Sequence, residues 1–266
     1  MTQKKQETKL ILSTDTLGGY GLDYIFSLAK KCGFDGLELA LWKNFDAQNP
    51  EYVKELSEKH KLKVRGIQTS ASLNKKEMNK ALDLCEELNC RNININAPKF
   101  FNYKAFNFIK SNLKTYIEKN KDINFSIINP EDGSFFIIPL PKYRFNNLVE
   151  IIKKYGSYLA LDIANLDEES FEDEFYRKMK DFLPYISTIY LSDKDKNGKS
   201  HNIPGEGILK LPSFLKKLKK KKYNNDICIK ININKADLAD NEKTEIILKK
   251  TVNYYKEYYK DIEIKE

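Results

Sequence analysis

The fold the sequence predicts is α/β, a single-domain (β/α)8 (TIM) barrel, and three observations carry that reading. Short apolar runs alternate with amphipathic helical patterns from one end of the chain to the other. Eight such runs are present, their starts 26 to 39 residues apart; a doubly wound open sheet more often has about six strands. At 266 residues the chain also matches the roughly 250 that eight βα units need. Regular alternation of this kind calls for parallel βαβ units.

Taken in order, the expected strands are Leu10–Ser13, Gly36–Ala40, Lys63–Ile67, Asn92–Ile95, Asn124–Ile128, Tyr158–Asp162, Thr188–Leu191 and Ile227–Ile231. Each gap holds an apolar period near 3.6, as in Leu22, Ile25, Phe26 and Ala29 of the first helix. Gly33 follows that helix, where a left-handed residue ends a helix at low cost. Pro50 opens the second helix, where a missing N–H matters least. Asn74 can cap the third, with Glu77 three residues on to complete a capping box. The lysine run Lys216 to Lys222 closes the seventh helix and reads as a solvated face whose cations suit a helix C-terminus. The last helix, Glu242–Tyr259, pairs Tyr254 with Tyr258 and Tyr255 with Tyr259 at i,i+4, an aromatic face for docking on the barrel. Residues 1–8 form a polar tail and 9–266 the barrel, with no break in composition to mark a second domain.

Composition narrows the function classes. The formal net charge is +8, but it comes almost wholly from lysine, whereas sequence-reading grooves favour the bidentate guanidinium. No nucleic-acid partner is therefore expected. No apolar run approaches the ~20 residues of a membrane span and no signal peptide is visible, so no membrane association and a cytoplasmic location are expected. Cys32, Cys85, Cys90 and Cys228 show no CxxC pairing and read as buried free thiols.

A barrel of this kind works at the C-terminal ends of its strands. Those ends offer Asp15, Glu38 with Trp42, Gln68, Asn94, Asn96, Asn129, Asp162, Asn165, Tyr190 with Asp193, and Lys230. The set is polar, suiting a hydroxylated ligand of sugar size, and poor in imidazole. His60 closes the second helix as a solvated imidazole. His201 lies in a loop and, by its ordinary pKa, is the best candidate for proton transfer. Glu38 is the best carboxylate base, or else a group orienting Trp42 or a strand-end amide. The apolar loop Ser134–Pro141 reads as a lid or as packing over the barrel top.

The most informative stretch is Ile189 to Gly207, IYLSDKDKNGKSHNIPGEG. It resembles the seventh strand and loop of the xylose isomerase-like barrels, the sugar isomerase and epimerase superfamily, whose pattern there is close to HxHLKD…G…H…PGEG. GFDGLELA at the second strand, YLALDIANL at the sixth and YNNDICIKIN at the last resemble the same family in the same order. The resemblance implies a sugar or sugar-phosphate isomerase or epimerase with a small carbohydrate as partner, and a homo-oligomer by analogy. It makes His201 a substrate-facing residue, with Trp42, Asn129, Asp162, Tyr190, Asp193 and Glu206 as substrate contacts.

The family holds a divalent metal by Glu, Asp, His and Glu at the ends of strands five to eight. Here those positions carry Ile128 beside Asn129, then Asp162, Tyr190 and Lys230, although a shift of register in strand five brings Glu131 into play. An ammonium within a few ångströms of a dication costs several kcal/mol in a partly desolvated site, so no metal cofactor (Mn, Mg or Zn) is expected. Two readings of Lys230 stay open. It forms a structural pair with Asp162 across the mouth, or it acts as an electrophilic clamp on a carbonyl or phosphate oxygen or as a Schiff-base amine. With Glu38 and His201 it makes up the catalytic set. A non-catalytic sugar-binding barrel is the alternative. An endonuclease IV-like enzyme of related fold is excluded, because its multi-zinc site needs several histidines and this chain has two.

Overall fold

A computed structural model describes residues 7–98, 102–130, 152–166 and 181–264. Eight parallel strands close into a barrel: β1 (Leu10–Ser13), β2 (Gly36–Ala40), β3 (Lys63–Thr69), β4 (Asn92–Ile95), β5 (Asn124–Ile128), β6 (Tyr158–Asp162), β7 (Ile186–Leu191) and β10 (Asp226–Ile229). The order around the barrel is β1-β10-β7-β6-β5-β4-β3-β2. Two short antiparallel strands, β8 (Asp193–Lys194) and β9 (Ser200–Asn202), form a ribbon above β7. Five strands keep their expected bounds. β3 runs two residues further and β7 starts two earlier, both because the pairing ladder continues past the apolar run. The eighth stave ends at Ile229, so Lys230 and Ile231 lie just beyond it.

Helices Leu22–Cys32, Pro50–His60, Lys75–Glu87 and Tyr103–Lys119 connect the first five staves. Gly33 takes the left-handed conformation at φ 92° and donates its N–H to Ala29 and Lys30. Pro50 sits in the first turn and Asn74 accepts from Glu77 N. The expected capping box does not close, because the Glu77 carboxylate takes the N–H and hydroxyl of Ser70 instead. His60 is not free in solvent either: Nε2 lies 2.6 Å from Asp23 Oδ1, and the ring stacks against Phe26.

The helix Leu211–Lys220 buries Leu211, Phe214, Leu215 and Leu218. Each such side chain contributes roughly 1.5–3 kcal/mol, so that face docks the helix while its lysines point outward. Lys219 reaches back to the carbonyls of Lys260 and Ile262. The last helix runs Asn241–Tyr255 and ends in a π turn, Lys256–Lys260, with both tyrosine pairs in contact at 4.7 and 5.3 Å between centroids. Thr8, expected in the polar tail, is buried beneath that helix and bonds Tyr223 O and the Tyr259 hydroxyl. All four cysteines are free and buried.

Most of the apolar core lies between staves and helices, while Ile11, Ile128, Ala160, Tyr190 and Cys228 form a second cluster within the lumen. Arg65 crosses the barrel floor to Asp226, with Nη2 to Oδ1 at 2.8 Å. Gly36 makes room for it, because a Cβ there would stand 2.8 Å from Arg65 Cδ. Ser134–Pro141 and Glu131 lie outside the described residues.

Candidate active site

Sequence adjacency at the strand ends does not make a common site, and the register divides the candidates into two levels. Glu38 is the middle residue of β2, beside Ser13 on β1 and Gly66 on β3. It sits within the barrel, wholly buried, rather than at the mouth. Tyr190 donates its hydroxyl to Glu38 Oε1 at 2.7 Å, and Asn94 Nδ2 donates to the same oxygen at 2.7 Å. Cys228 Sγ is 3.8 Å from Oε2. Burial raises the Glu38 carboxyl above its ordinary value; Tyr190, Asn94 and the charge of Lys230 pull the other way. Burial also pushes the Tyr190 hydroxyl well up. Glu38 therefore orients a strand-end amide and a tyrosine, not Trp42.

Above this layer, the mouth holds Asp162, His201 and Lys230. Asp162 ends β6 fully buried, and neither carboxylate oxygen has a hydrogen-bond partner among the described residues. His201 Nε2 stands 3.6 Å from Asp162 Oδ2, and its Nδ1 lies 3.2 Å from Ser192 Oγ. The histidine adopts φ 67°, a left-handed conformation uncommon outside glycine, and its carbonyl accepts from Asn232 N.

The ribbon that presents His201 is built by Asp193. Its carboxylate accepts from the N–H groups of Lys194, Gly205 and Leu209. Gly207 lets the turn close over it, since a Cβ would stand 2.4 Å from Asp193 Oδ1. Asp193 is thus occupied in shaping the loop, a different task from the substrate contact expected of it. Glu206 faces away from the mouth and pairs with Lys250. Asn129 bonds both backbone groups of Asp162, locking β6 to β5. Trp42 stays on the rim, 37% exposed.

Lys230 does not pair with Asp162. Its Nζ lies 5.2 Å from the Tyr190 ring centroid and 3.9 Å from Asp15 Oδ2. Gln68, with its amide oxygen turned to Lys230 and its nitrogen to Glu38 Oε2, sits 3.2 Å from each. Asp15 Oδ1 in turn holds Lys43 Nζ at 3.0 Å. Asp15 lies in the short 3-10 turn Thr14–Leu17 that follows the first strand, but nothing in the sequence pointed to Lys43 beside it.

A family model described as a xylose isomerase-like TIM barrel matches residues 26–250. The chain belongs to that family. Solved structures superimpose on most of its length at low identity. D-allulose 3-epimerase from Methylomonas sp. is 13% identical with a TM-score of 0.68, covering 95% of this chain and 98% of that one. The 3-keto-D-glucoside 4-epimerase YcjR from E. coli is 14% identical at 0.69, covering 92% and 100%. A D-tagatose 3-epimerase-like protein is 20% identical at 0.65, covering 94% and 99%. No curated protein matches. At these identities the likeness carries the fold.

The described residues do not fit the divalent metal of the xylose isomerase-like family. Among the described residues no three His, Cys, Asp or Glu side chains gather as a metal site, and the mouth offers Asp162 and His201 as its two facing donors. Of the other positions, the Tyr190 hydroxyl is spent on Glu38, the Asn129 amide is locked to backbone, and Lys230 brings a positive charge.

Proposed function

We propose that the barrel mouth binds a small carbohydrate and moves a proton beside its carbonyl without a divalent metal, as an isomerase or epimerase. The observation that carries this is Asp162, a buried carboxylate whose oxygens have no hydrogen-bond partner among the described residues and which faces the His201 imidazole. Buried acceptors without partners are costly, and sugar hydroxyls are donors of the right kind. His201 Nε2 takes the proton from the carbon next to the carbonyl, and Asp162 stabilises the imidazolium that results. The electron pair moves onto the carbonyl oxygen, where the Lys230 ammonium offsets the charge of the enediolate. Return of the proton to the former carbonyl carbon, with the adjacent hydroxyl proton passing to the enediolate oxygen, isomerises the sugar; epimerisation draws its proton from water on the opposite face. Trp42 offers a rim face for the sugar's C–H side. The sugar epimerases among the similar folds support a carbohydrate ligand. No helix among the described residues is long and apolar enough to cross a membrane.

The alternative, a sugar-binding barrel without catalysis, is favoured by one observation: the Glu38 carboxylate is tied to Tyr190 and Asn94, which leaves His201 without a second base. Deuterium wash-in distinguishes the two. Chelator-treated protein incubated with ketohexoses in D2O should place deuterium beside the carbonyl, and His201→Gln should abolish it. Thermal stabilisation by the sugars without wash-in would leave the binding barrel. Wash-in that needs added Mn²⁺ would overturn the metal-free mechanism.

A further inference from the structure

The floor of the barrel, at the end opposite the mouth, opens into a cavity of about 570 Å³, a size common among small-molecule sites. Val64 and Leu88 are among its few apolar side chains, and no aromatic ring lines it among the described residues. Two irregularities of the ladder shape it. β2 pairs Leu37 with Val64 and then Glu38 with Gly66, so Arg65 is an extra residue on β3. β6 pairs Leu159 with Ile186 and then Ala160 with Thr188, so Ser187 is an extra residue on β7. Both extra residues line the cavity. A bulge of this kind re-aims a side chain and recurs at barrel rims and beside active sites. Arg65 lies under the lumen, with Nε and Nη2 on Asp226 and Nη1 without a partner among the described residues.

Four cations and three carboxylates line the space. Lys54 is held by Glu87 at 2.7 Å, with Glu58 one turn along its helix, and Arg65 is held by Asp226. Lys63 and Arg91 are exposed and have no carboxylate within ion-pair distance among the described residues. Continuing the pairing of Ile67 with Ile93 back by two residues sets Arg91 level with Arg65, on strands about 4.8 Å apart. The guanidinium fork suits carboxylate and phosphate. Asn124 and Asn225 spend their amide nitrogens on Asn92 and the Ile186 carbonyl, which leaves two amide oxygens to accept from a ligand. From this arrangement we infer that the floor cavity binds a small hydroxylated polyacid. Its carboxylate or phosphate groups rest on Arg65, Arg91 and Lys63, and a hydroxyl donates to Asn124 or Asn225. A nucleobase finds no ring to stack on there. No bond is made or broken at the floor, and the site stands whether or not the mouth moves a proton.

Titration calorimetry on the full chain at constant ionic strength tests it, with citrate and 3-phosphoglycerate as probes and sulfate as the control. At least one probe should bind one-to-one with a Kd below about 1 mM. Tighter binding of citrate points to carboxylates, and tighter binding of 3-phosphoglycerate to a phosphate group. Arg91→Gln, at an exposed side chain that leaves the fold intact, should weaken binding about tenfold, and Lys63→Gln should weaken it less. His201→Gln, at the other end of the barrel, should not change it. No binding of either probe, or sulfate binding as tightly as they do, would overturn the inference. So would an affinity that survives Arg91→Gln and Lys63→Gln together, or one lost in His201→Gln, which would put the probe at the mouth.

Discussion

Tyr190→Phe removes one oxygen from the centre of the barrel, and the effect follows from what that oxygen holds. The hydroxyl is wholly buried and donates at 2.7 Å to Glu38 Oε1, a carboxyl with no access to water. Asn94 Nδ2 remains on the same oxygen, so Glu38 keeps one strong donor and loses the other. A hydrogen bond to a charged group is worth about 1.5–3 kcal/mol, and a void the size of one oxygen adds little. The expected loss is about 2 kcal/mol, which for a domain of this size corresponds to a fall in Tm of roughly 4–8 °C. Urea unfolding and calorimetry on the purified variant measure it. The phenyl ring still underlies Lys230. In the double variant with Glu38→Gln the loss should be smaller than the sum of the single losses, because both remove one interaction. Full additivity, or a Tyr190→Phe change under about 0.5 kcal/mol, would refute the idea that the two groups depend on each other.

Glu38 also gives the protein a pH signature. Its folded-state pKa is raised by burial, so the protonated form favours the native state, and that stability is lost as pH rises from the ordinary carboxyl range through the folded value. Unfolding followed from pH 4 upward should show the wild type losing stability relative to Glu38→Gln across that window; a constant difference would count against the raised pKa. At the floor, Arg65→Met leaves Asp226 buried without its cation and should cost about 3 kcal/mol by urea unfolding; a neutral effect would mean that the pair contributes no net stability. Gly207→Ala forces a methyl group to within 2.4 Å of Asp193 Oδ1 and 2.2 Å of the Lys194 carbonyl. It should disturb the ribbon that presents His201, abolishing ligand-induced thermal shifts; an intact shift would show that the ribbon does not position the site.

The barrel was legible because strand period and helix period are local signals that repeat, and burial on both faces of the staves leaves them as plain apolar runs. The caps at Gly33, Pro50 and Asn74 were legible for the same reason. What the sequence hides is which polar side chain meets which. Glu38 reads as a strand-end base, yet its position in the middle of β2 places it a layer below the mouth. One of the two open readings of Lys230 paired it with Asp162 because both end strands, but its observed neighbours are Asp15 and the Tyr190 ring. Asp193 and Glu206 match a family motif, and their geometry shows what that motif does here: one carboxylate shapes a turn and the other faces outward to Lys250. Lys43 follows no pattern at all. It sits beside the mouth because it pairs with Asp15, in the turn after another stave.

The central claim is that an ammonium, Lys230, supplies the positive charge at the barrel mouth. Calorimetric titration of metal-stripped protein with Mn²⁺ addresses it most directly. The expected result is no stoichiometric binding by the wild type. Stoichiometric Mn²⁺ binding that Asp162→Asn abolishes would contradict the claim.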